Sequence, residues 1–310
     1  MEAVIPEKLK IGTRGSLLAL AQTDLFIEAV HRVYPGLVCE KVIVRTTGDK
    51  IPDRPLAAFG GKGVFVTEFE EAIRRGSIDC AVHSAKDMPT ELAEGLSIVC
   101  VLPREDVRDV LVVRRGTDIR ALPQAVIGTG SLRRQVQVAD CYPNAVFAPL
   151  RGNVPTRMEK LRAGEYDGIV LAAAGLKRLG LAAEADIDCI YFDEKTVIPA
   201  GGQAVIAVEG RADGTQSFLG RLTDVRAAAE LETERLILKK LNAGCHEAVG
   251  VYARLCGAAG EAQPKAERAL CIRAMREKDG VMRRRELCGA AGERYALAEQ
   301  MAELLLAEAE

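Results

Sequence analysis

Tryptophan is absent from the 310 residues, aromatic side chains make up only 4% of them, and histidine occurs three times. The cores must therefore be built from Val, Ile, Leu and Ala. A metal centre is not expected, because three histidines at 31, 83 and 246 have no ligand-like spacing. Charge of one sign is lacking too. The net charge of −2 excludes a generally basic nucleic-acid surface, so any anion site must be a local concentration of Lys and Arg. No uncharged apolar stretch approaches the roughly 20 residues of a membrane span. The opening MEAVIPEKLK has no apolar run of the length a secretion signal needs. The nine cysteines (39, 80, 100, 141, 189, 245, 256, 271, 288) include no Cys-x-x-Cys pair, and several sit in strand-like runs such as Ser97–Val101. That is the pattern of reduced, buried thiols, and a soluble cytoplasmic chain is expected.

What is present is apolar material, 48% of the chain, enough for roughly two or three domains. The first two-thirds alternate strand and helix patterns. A strand ending at Lys10–Gly12 leads into a helix over Leu17–Val33, whose apolar positions Leu18, Ala21, Leu25, Ala29 and Val33 recur at spacings of three and four. Further strands are predicted at Val42–Arg45, Ile78–Val82, Leu96–Leu102, Val110–Val113, Ala125–Gly128, Val146–Ala148 and Gly168–Ala172. Helices are predicted at Val66–Arg75, Leu132–Ala139 and Thr156–Ala163. Such alternation implies α/β domains with mostly parallel sheets covered by helices on both faces. Ile11-Gly12-Thr13-Arg14-Gly15-Ser16-Leu17 and Ile127-Gly128-Thr129-Gly130-Ser131-Leu132 both run from a strand into a helix. They suggest two similar domains, each presenting a helix N-terminus at the C-terminal edge of its sheet. After Arg221 a long helix over Asp224–Leu241 stops at Asn242-Ala243-Gly244. Strands at Val249–Leu255, Ala269–Arg273 and Val281–Glu286 and a final helix from Gly292 then read as a small α+β domain.

Seven basic residues fall in glycine- and serine-rich loops beyond apolar strands: Arg14, Lys62, Lys86, Arg133, Arg134, Arg151 and Arg157. Glycine lets backbone N–H groups approach a ligand, helix N-termini favour anions, and arginine adds a fork suited to carboxylate. One such residue alone is an ordinary surface cation; seven at strand–helix junctions point to a ligand with several carboxylates. Phosphate is disfavoured, since neither a Walker-type loop nor Gly-x-Gly-x-x-Gly is present. Asp87, directly after Lys86, is the one carboxylate set among these cations. It is suited to move protons or to face a developing positive charge, although a loop aspartate also caps turns. Cys245, in Asn-Ala-Gly-Cys-His-Glu, is the candidate nucleophile; the adjacent His246 is a poor candidate for its base, since neighbouring side chains often diverge.

Over nearly its whole length the chain resembles the porphobilinogen deaminase (hydroxymethylbilane synthase) family. The resemblance rests on Gly12-Thr13-Arg14-Gly15-Ser16-Leu17-Leu18-Ala19, Gly60-Gly61-Lys62-Gly63 and His83-Ser84-Ala85-Lys86-Asp87-Met88-Pro89. It continues through Arg104–Asp109, Ser131-Leu132-Arg133-Arg134-Gln135, Leu150-Arg151-Gly152-Asn153-Val154, Ala173–Leu179 and Ala243-Gly244-Cys245. It implies two periplasmic-binding-protein-like α/β domains with mixed sheets, 1–101 with 200–219 and 102–199, plus a small α+β domain, 220–310, carrying the cofactor cysteine. It also implies a transferase of tetrapyrrole biosynthesis that joins four porphobilinogen molecules head to tail with loss of ammonia. The primer is a dipyrromethane cofactor joined covalently to Cys245. Cofactor contacts fall to Lys86, Asp87, Thr129, Ser131, Arg133, Arg134, Arg151 and Gly152, and substrate contacts to Arg14, Ser16, Lys62, Arg151 and Arg157. Asp87, with Arg14 and Lys86, would carry the catalysis, in a monomer with no nucleic-acid or membrane partner. The chain departs from the family at Ala58, where lysine is frequent, at Pro155, at Ala243 and at Ala204, which stands where glycine is familiar. The competing class is a non-catalytic anion-binding protein of the same architecture. It would call for a secretion signal or a helix-turn-helix segment, and it leaves the cysteine loop without a purpose.

Overall fold

The computed structural model describes residues 5–46, 66–243, 247–257 and 269–307. Lys62, Ala58, Cys245 and His246 lie outside the described residues. The chain divides into two compact units, Met1–Glu105 with Ala204–Ala228 and Asp106–Gln203 with Ala229–Glu310. Their divisions fall a few residues after the expected boundaries at 101 and 199, and the third sheet is grouped with the second unit.

In the first unit, strands β1 (Lys8–Thr13), β2 (Val38–Ile43), β3 (Cys80–Ser84), β4 (Leu96–Val101) and β10 (Ile206–Arg211) form a five-stranded sheet in the order β2-β1-β3-β10-β4. In the second, β5 (Asp109–Arg114), β6 (Val126–Gly128), β7 (Val146–Ala148), β8 (Gly168–Ala172) and β9 (Ile187–Tyr191) take the order β7-β6-β8-β5-β9. The two sheets share one plan: parallel pairs on one side and a reversed strand in fourth place, β10 or β5, antiparallel to both its neighbours. The sheets are thus mixed, not mostly parallel as the alternation alone implied. Each reversed strand is the first laid down after the chain leaves the other unit, a connection that a strand–helix rhythm does not reveal. Neither β9 nor β10 was anticipated.

Burial on both faces explains the sequences of the central strands. On β5, Val110 and Val112 join one core with Ile169 and Leu171, while Leu111 and Val113 join another with Ile127 and Val170. In the first sheet, Leu9, Ile11, Phe26, Val82 and Val208 fill one side, and Phe69, Ile73, Ile78 and Ala81 fill the other. Helix Leu17–Val33 begins where Ser16 accepts a hydrogen bond from the Ala19 N–H and buries Gln22, Thr23, Phe26 and Val30 on one stripe. The matching helix Leu132–Cys141 begins at Ser131, which accepts from the Arg134 N–H.

The third sheet is antiparallel, β11 (Val249–Leu255), β12 (Ala269–Lys278) and β13 (Val281–Ala290) in that order, with helix Arg294–Leu306 packed on it through Leu297, Met301 and Leu305. Asp279 and Gly280, at φ of 54° and 80°, make the two-residue turn that fixes the β12–β13 register. That register sets Cys271 opposite Cys288, and the two form a disulfide. The expectation of uniformly reduced, buried thiols is corrected here, for Cys288 is exposed. The outer edge of β11 finds partners outside the sheet. Its Val251, Ala253 and Leu255 N–H groups donate to Pro199 O at 2.8 Å, Glu234 Oε1 at 2.8 Å and Glu230 Oε1 at 3.0 Å. Both carboxylates come from helix Val225–Lys240. No described helix is long and apolar enough to cross a membrane.

Candidate active site

In the first unit the relevant loops follow β1 and β3, which are adjacent and parallel. Gly12 lies where they leave the sheet in a tight spot: a Cβ there would sit 2.5 Å from Ile78 Cδ1, so the Ile78 side chain would have to shift. Thr13, fully buried, is hydrogen-bonded to Thr23 at 2.8 Å and ties the strand end to the helix. Arg14 and Ser16 therefore occupy the turn into Leu17–Val33, and Lys86 and Asp87 occupy a short 3-10 turn, Ala85–Asp87, directly after β3. Asp87 is exposed and Lys86 half-buried.

Two pairs brace this second loop. Gln22, buried on the helix, donates to Ser84 Oγ at 2.8 Å and accepts from it at 3.2 Å. His83, buried against the edge of the Phe69 ring, has Nε2 3.0 Å from Glu209 Oε2 on β10. The first pair joins the helix that follows Arg14 and Ser16 to the strand end that carries Lys86 and Asp87. His83 and Ser84 lie in the His83–Pro89 motif, but the sequence alone assigns none of Gln22, Ser84, His83 and Glu209 a role.

The second unit repeats the arrangement with different chemistry. Thr129 accepts from the Ser131 N–H at 3.2 Å, and its own N–H donates to Ala148 O at 3.0 Å, joining the loops after β6 and β7. The loop after β7 holds Arg151 and Gly152, the latter at φ 107° with no room for a Cβ, which would lie 2.8 Å from Thr156 Cγ2. Asn153 then caps helix Val154–Arg162, accepting from the Thr156 N–H at 3.0 Å. Pro155 sits in the first turn, where a missing N–H costs nothing. Arg157 donates from Nε to Gly152 O at 2.7 Å and so holds the loop closed.

Arg133 and Arg134 are placed differently from the other cations. Both are buried, and both turn inward onto the fully buried Asp109. Arg133 donates to Asp109 Oδ2 at 2.7 Å and to Ile198 O at 2.8 Å. Arg134 donates to Asp109 Oδ1 at 2.7 and 3.0 Å and to Val170 O at 3.2 Å. Gln203 adds a bond to Asp109 at 2.9 Å. Burial pushes the Asp109 carboxyl up, but the two guanidiniums outweigh it and hold it well below the ordinary carboxylate range. Two cations share one anion, so the buried cluster in the first turn after Ser131 carries more positive than negative charge. Asp109 carried no assigned role in the sequence; the signal was a carboxylate opening the wholly apolar Val110–Val113. Asp106, from the same motif, is held low by Arg108, its bidentate partner, with Lys177 3.0 Å away.

The long helix ends just before residue 244. Asn242, at φ 50°, closes it: its N–H donates to Lys239 O at 3.0 Å and that of Ala243 to Leu238 O at 3.1 Å. Ala243 thus takes the position after a left-handed cap, where an apolar contact is favoured, and packs against the third-sheet core.

The fold and these loops define a protein with two five-stranded α/β sheets, whose C-terminal strand ends are fitted with Ser-capped helices and cations, and a third, antiparallel sheet. Residues 9–218 match the family described as "Porphobilinogen deaminase, dipyromethane cofactor binding domain". The chain is 48% identical over 248 residues to the porphobilinogen deaminase of Lachnospira eligens, covering 78% of this chain and 83% of that one. It is 46% identical over 252 residues to that of Roseiflexus castenholzii, covering 80% and 82%. The chain belongs to the porphobilinogen deaminase family. Among solved structures, the periplasmic VFT2 domain of Bordetella pertussis BvgS aligns at a TM-score of 0.41 and 16% identity, over 70% of this chain and 86% of that one. At that level the strand order, not the alignment, defines the fold.

Proposed function

We propose that this chain is the transferase that condenses four porphobilinogen molecules head to tail, with loss of ammonia, and releases hydroxymethylbilane for tetrapyrrole biosynthesis. One observation supports this above the others. In each unit, a Ser-capped helix N-terminus and cationic side chains lie at the C-terminal strand ends, suited to a ligand rich in carboxylates.

The donor set fits a dipyrromethane cofactor. Thr129 and Ser131 bring hydroxyls, Arg151 a guanidinium, and Gly152 a loop that a Cβ would fill. These residues, with Lys86 and Cys245 as covalent anchor, would hold the cofactor, which supplies the pyrrole carbon to which the first substrate is joined. Arg133 and Arg134, paired with Asp109, contribute the remaining positive charge of that cluster from the first turn after Ser131. Arg14, Ser16, Lys62, Arg151 and Arg157 bind the acetate and propionate of porphobilinogen. Asp87 holds a proton at the amine nitrogen as ammonia leaves, then stands as an anion against the positive charge on the pyrrole. We further read three domains, 1–101 with 200–219, 102–199 and 220–310, in a monomeric cytoplasmic protein without nucleic-acid partners.

The test is intact mass spectrometry of the purified protein beside Cys245→Ser. An added mass of two linked pyrroles in the wild type alone supports the reading. A bare wild-type mass that stays unchanged after incubation with porphobilinogen leaves an anion-binding protein instead. Asp87→Asn should retain the added mass and lose turnover by roughly 10²–10⁴-fold; normal turnover would remove Asp87 from the chemistry.

A further inference from the structure

Three of the nine cysteines gather on one face of the third sheet. Cys271 and Cys288 are direct partners in the β12–β13 ladder, with Cα atoms 4.2 Å apart, and share the disulfide. Cys256 follows the last residue of β11, its N–H donating to Ala269 O at 2.7 Å. Its thiol lies 3.5 Å from Cys271 Sγ, van der Waals contact between sulfurs. Because β12 is the middle strand, Cys271 stands between the other two. An attacking sulfur on one flank and a leaving sulfur on the other is the arrangement that thiol–disulfide exchange requires.

Of the other free cysteines among the described residues, Cys80 and Cys100 are buried, while Cys39, Cys141 and Cys189 are half-buried like Cys256 but have no disulfide beside them. Burial pushes the Cys100 thiol up to about 12 and the Cys80 thiol well above its usual value. It raises Cys39, Cys141 and Cys189 as well. Cys256 is half-buried and Cys288 exposed.

We propose that Cys256, Cys271 and Cys288 form a thiol–disulfide exchange site that opens Cys288 to modification by a low-molecular-weight disulfide. The Cys256 thiolate attacks Cys271 Sγ; a Cys256–Cys271 bond forms, the Cys271–Cys288 bond breaks, and the electron pair leaves on Cys288. No oxidant is consumed in that step. The released Cys288 thiolate then attacks the external disulfide, taking one half as a mixed disulfide and releasing the other as a thiolate. In a reducing compartment, where exposed disulfides are reduced, the same external disulfide first oxidises the trio through Cys288, its most accessible member.

Full-length protein is incubated with glutathione disulfide, quenched in acid, alkylated and mapped by peptide mass spectrometry. The wild type should carry glutathione on Cys288 together with a Cys256–Cys271 crosslink. Cys256→Ser should keep Cys271–Cys288 and lose about tenfold or more of the Cys288 label. Cys288→Ser, which lacks the leaving sulfur, should form Cys256–Cys271 directly; this variant keeps the test decisive if Cys256→Ser folds poorly. Equal glutathione on Cys288 with and without Cys256, or no Cys256–Cys271 crosslink in either protein that retains Cys256, overturns the proposal.

Discussion

Ala204 adopts φ 69°, the left-handed region in which a Cβ crowds the backbone at a cost of about 1–2 kcal/mol. It stands where the family's familiar pattern has glycine, so the structure explains the departure as tolerated strain. Glycine would relieve the crowding but add unfolded-state entropy worth about 0.5–1 kcal/mol. Ala204→Gly should therefore raise stability by about 0.5–1 kcal/mol, read as a higher urea midpoint with an unchanged slope. Asp109 is the opposite case, one residue on which two buried cations depend. Asp109→Asn should cost about 3–5 kcal/mol, because it leaves Arg133 and Arg134 buried without a counter-charge. The sign of its pH dependence follows from the depressed carboxyl. Its stabilisation is present above the unfolded value near pH 4 and is lost as pH falls through the lower folded value. Stability curves of wild type and variant should therefore converge below about pH 4; curves that stay parallel into acid would place the stabilisation elsewhere.

At the level of elements, helix Val225–Lys240 acts as a clasp. Glu234 accepts from the Gly202 N–H at 2.7 Å and from the Ala253 N–H at 2.8 Å, joining the loop before Ala204 to the edge of the third sheet. Glu234→Ala leaves two buried donors unpaired, each worth about 1–3 kcal/mol. Hydrogen exchange at Ala253 should accelerate far more than at the β12 centre, and uniform acceleration would mean that the whole sheet had loosened. The element repeat is also deeper than the two Gly-Thr segments. Arg74-Arg75-Gly76-Ser77-Ile78-Asp79 and Arg162-Ala163-Gly164-Glu165-Tyr166-Asp167 both precede a third parallel strand. Asp79 accepts from the Lys10 N–H at 2.7 Å and Asp167 from the Val126 N–H at 2.8 Å. Ile78 packs over Gly12 as Tyr166 packs over Gly128.

For the molecule as a whole, the same sheet plan has been used twice and fitted with different side chains. The first unit carries an exposed carboxylate beside its loop cations, Asp87; the second carries hydroxyls and arginines, two of which turn onto the buried Asp109. A group bound only by the folded chain stabilises it. Cys245→Ser, without the covalent cofactor, should therefore melt several degrees below wild type, since each kcal/mol is worth about 2–4 °C or less at this size. Equal melting temperatures, with the added mass confirmed in the wild type, would show that the cofactor contributes no net stability.

The sequence by itself determined most elements within a few residues, because helix caps and strand periodicity are local: Ser16, Ser131 and the stop at Asn242 needed no tertiary information. It also placed Arg14, Ser16, Lys86 and Asp87 at strand–helix junctions, for the same reason. The direction of β5 and β10 was beyond it, since pairing is set by which core a strand completes after a long excursion. Charge pattern likewise treated Arg133 and Arg134 as equals of Arg14 and Arg151. Only the folded interior decided that these two face Asp109, because desolvation makes a buried guanidinium seek the nearest carboxylate. Between the two cases stand Cys271 and Cys288. Their pairing was implicit in the Asp279-Gly280 turn, which fixes every cross-strand partner by counting back, but the contact with Cys256 on a separate strand arose only when the sheet closed.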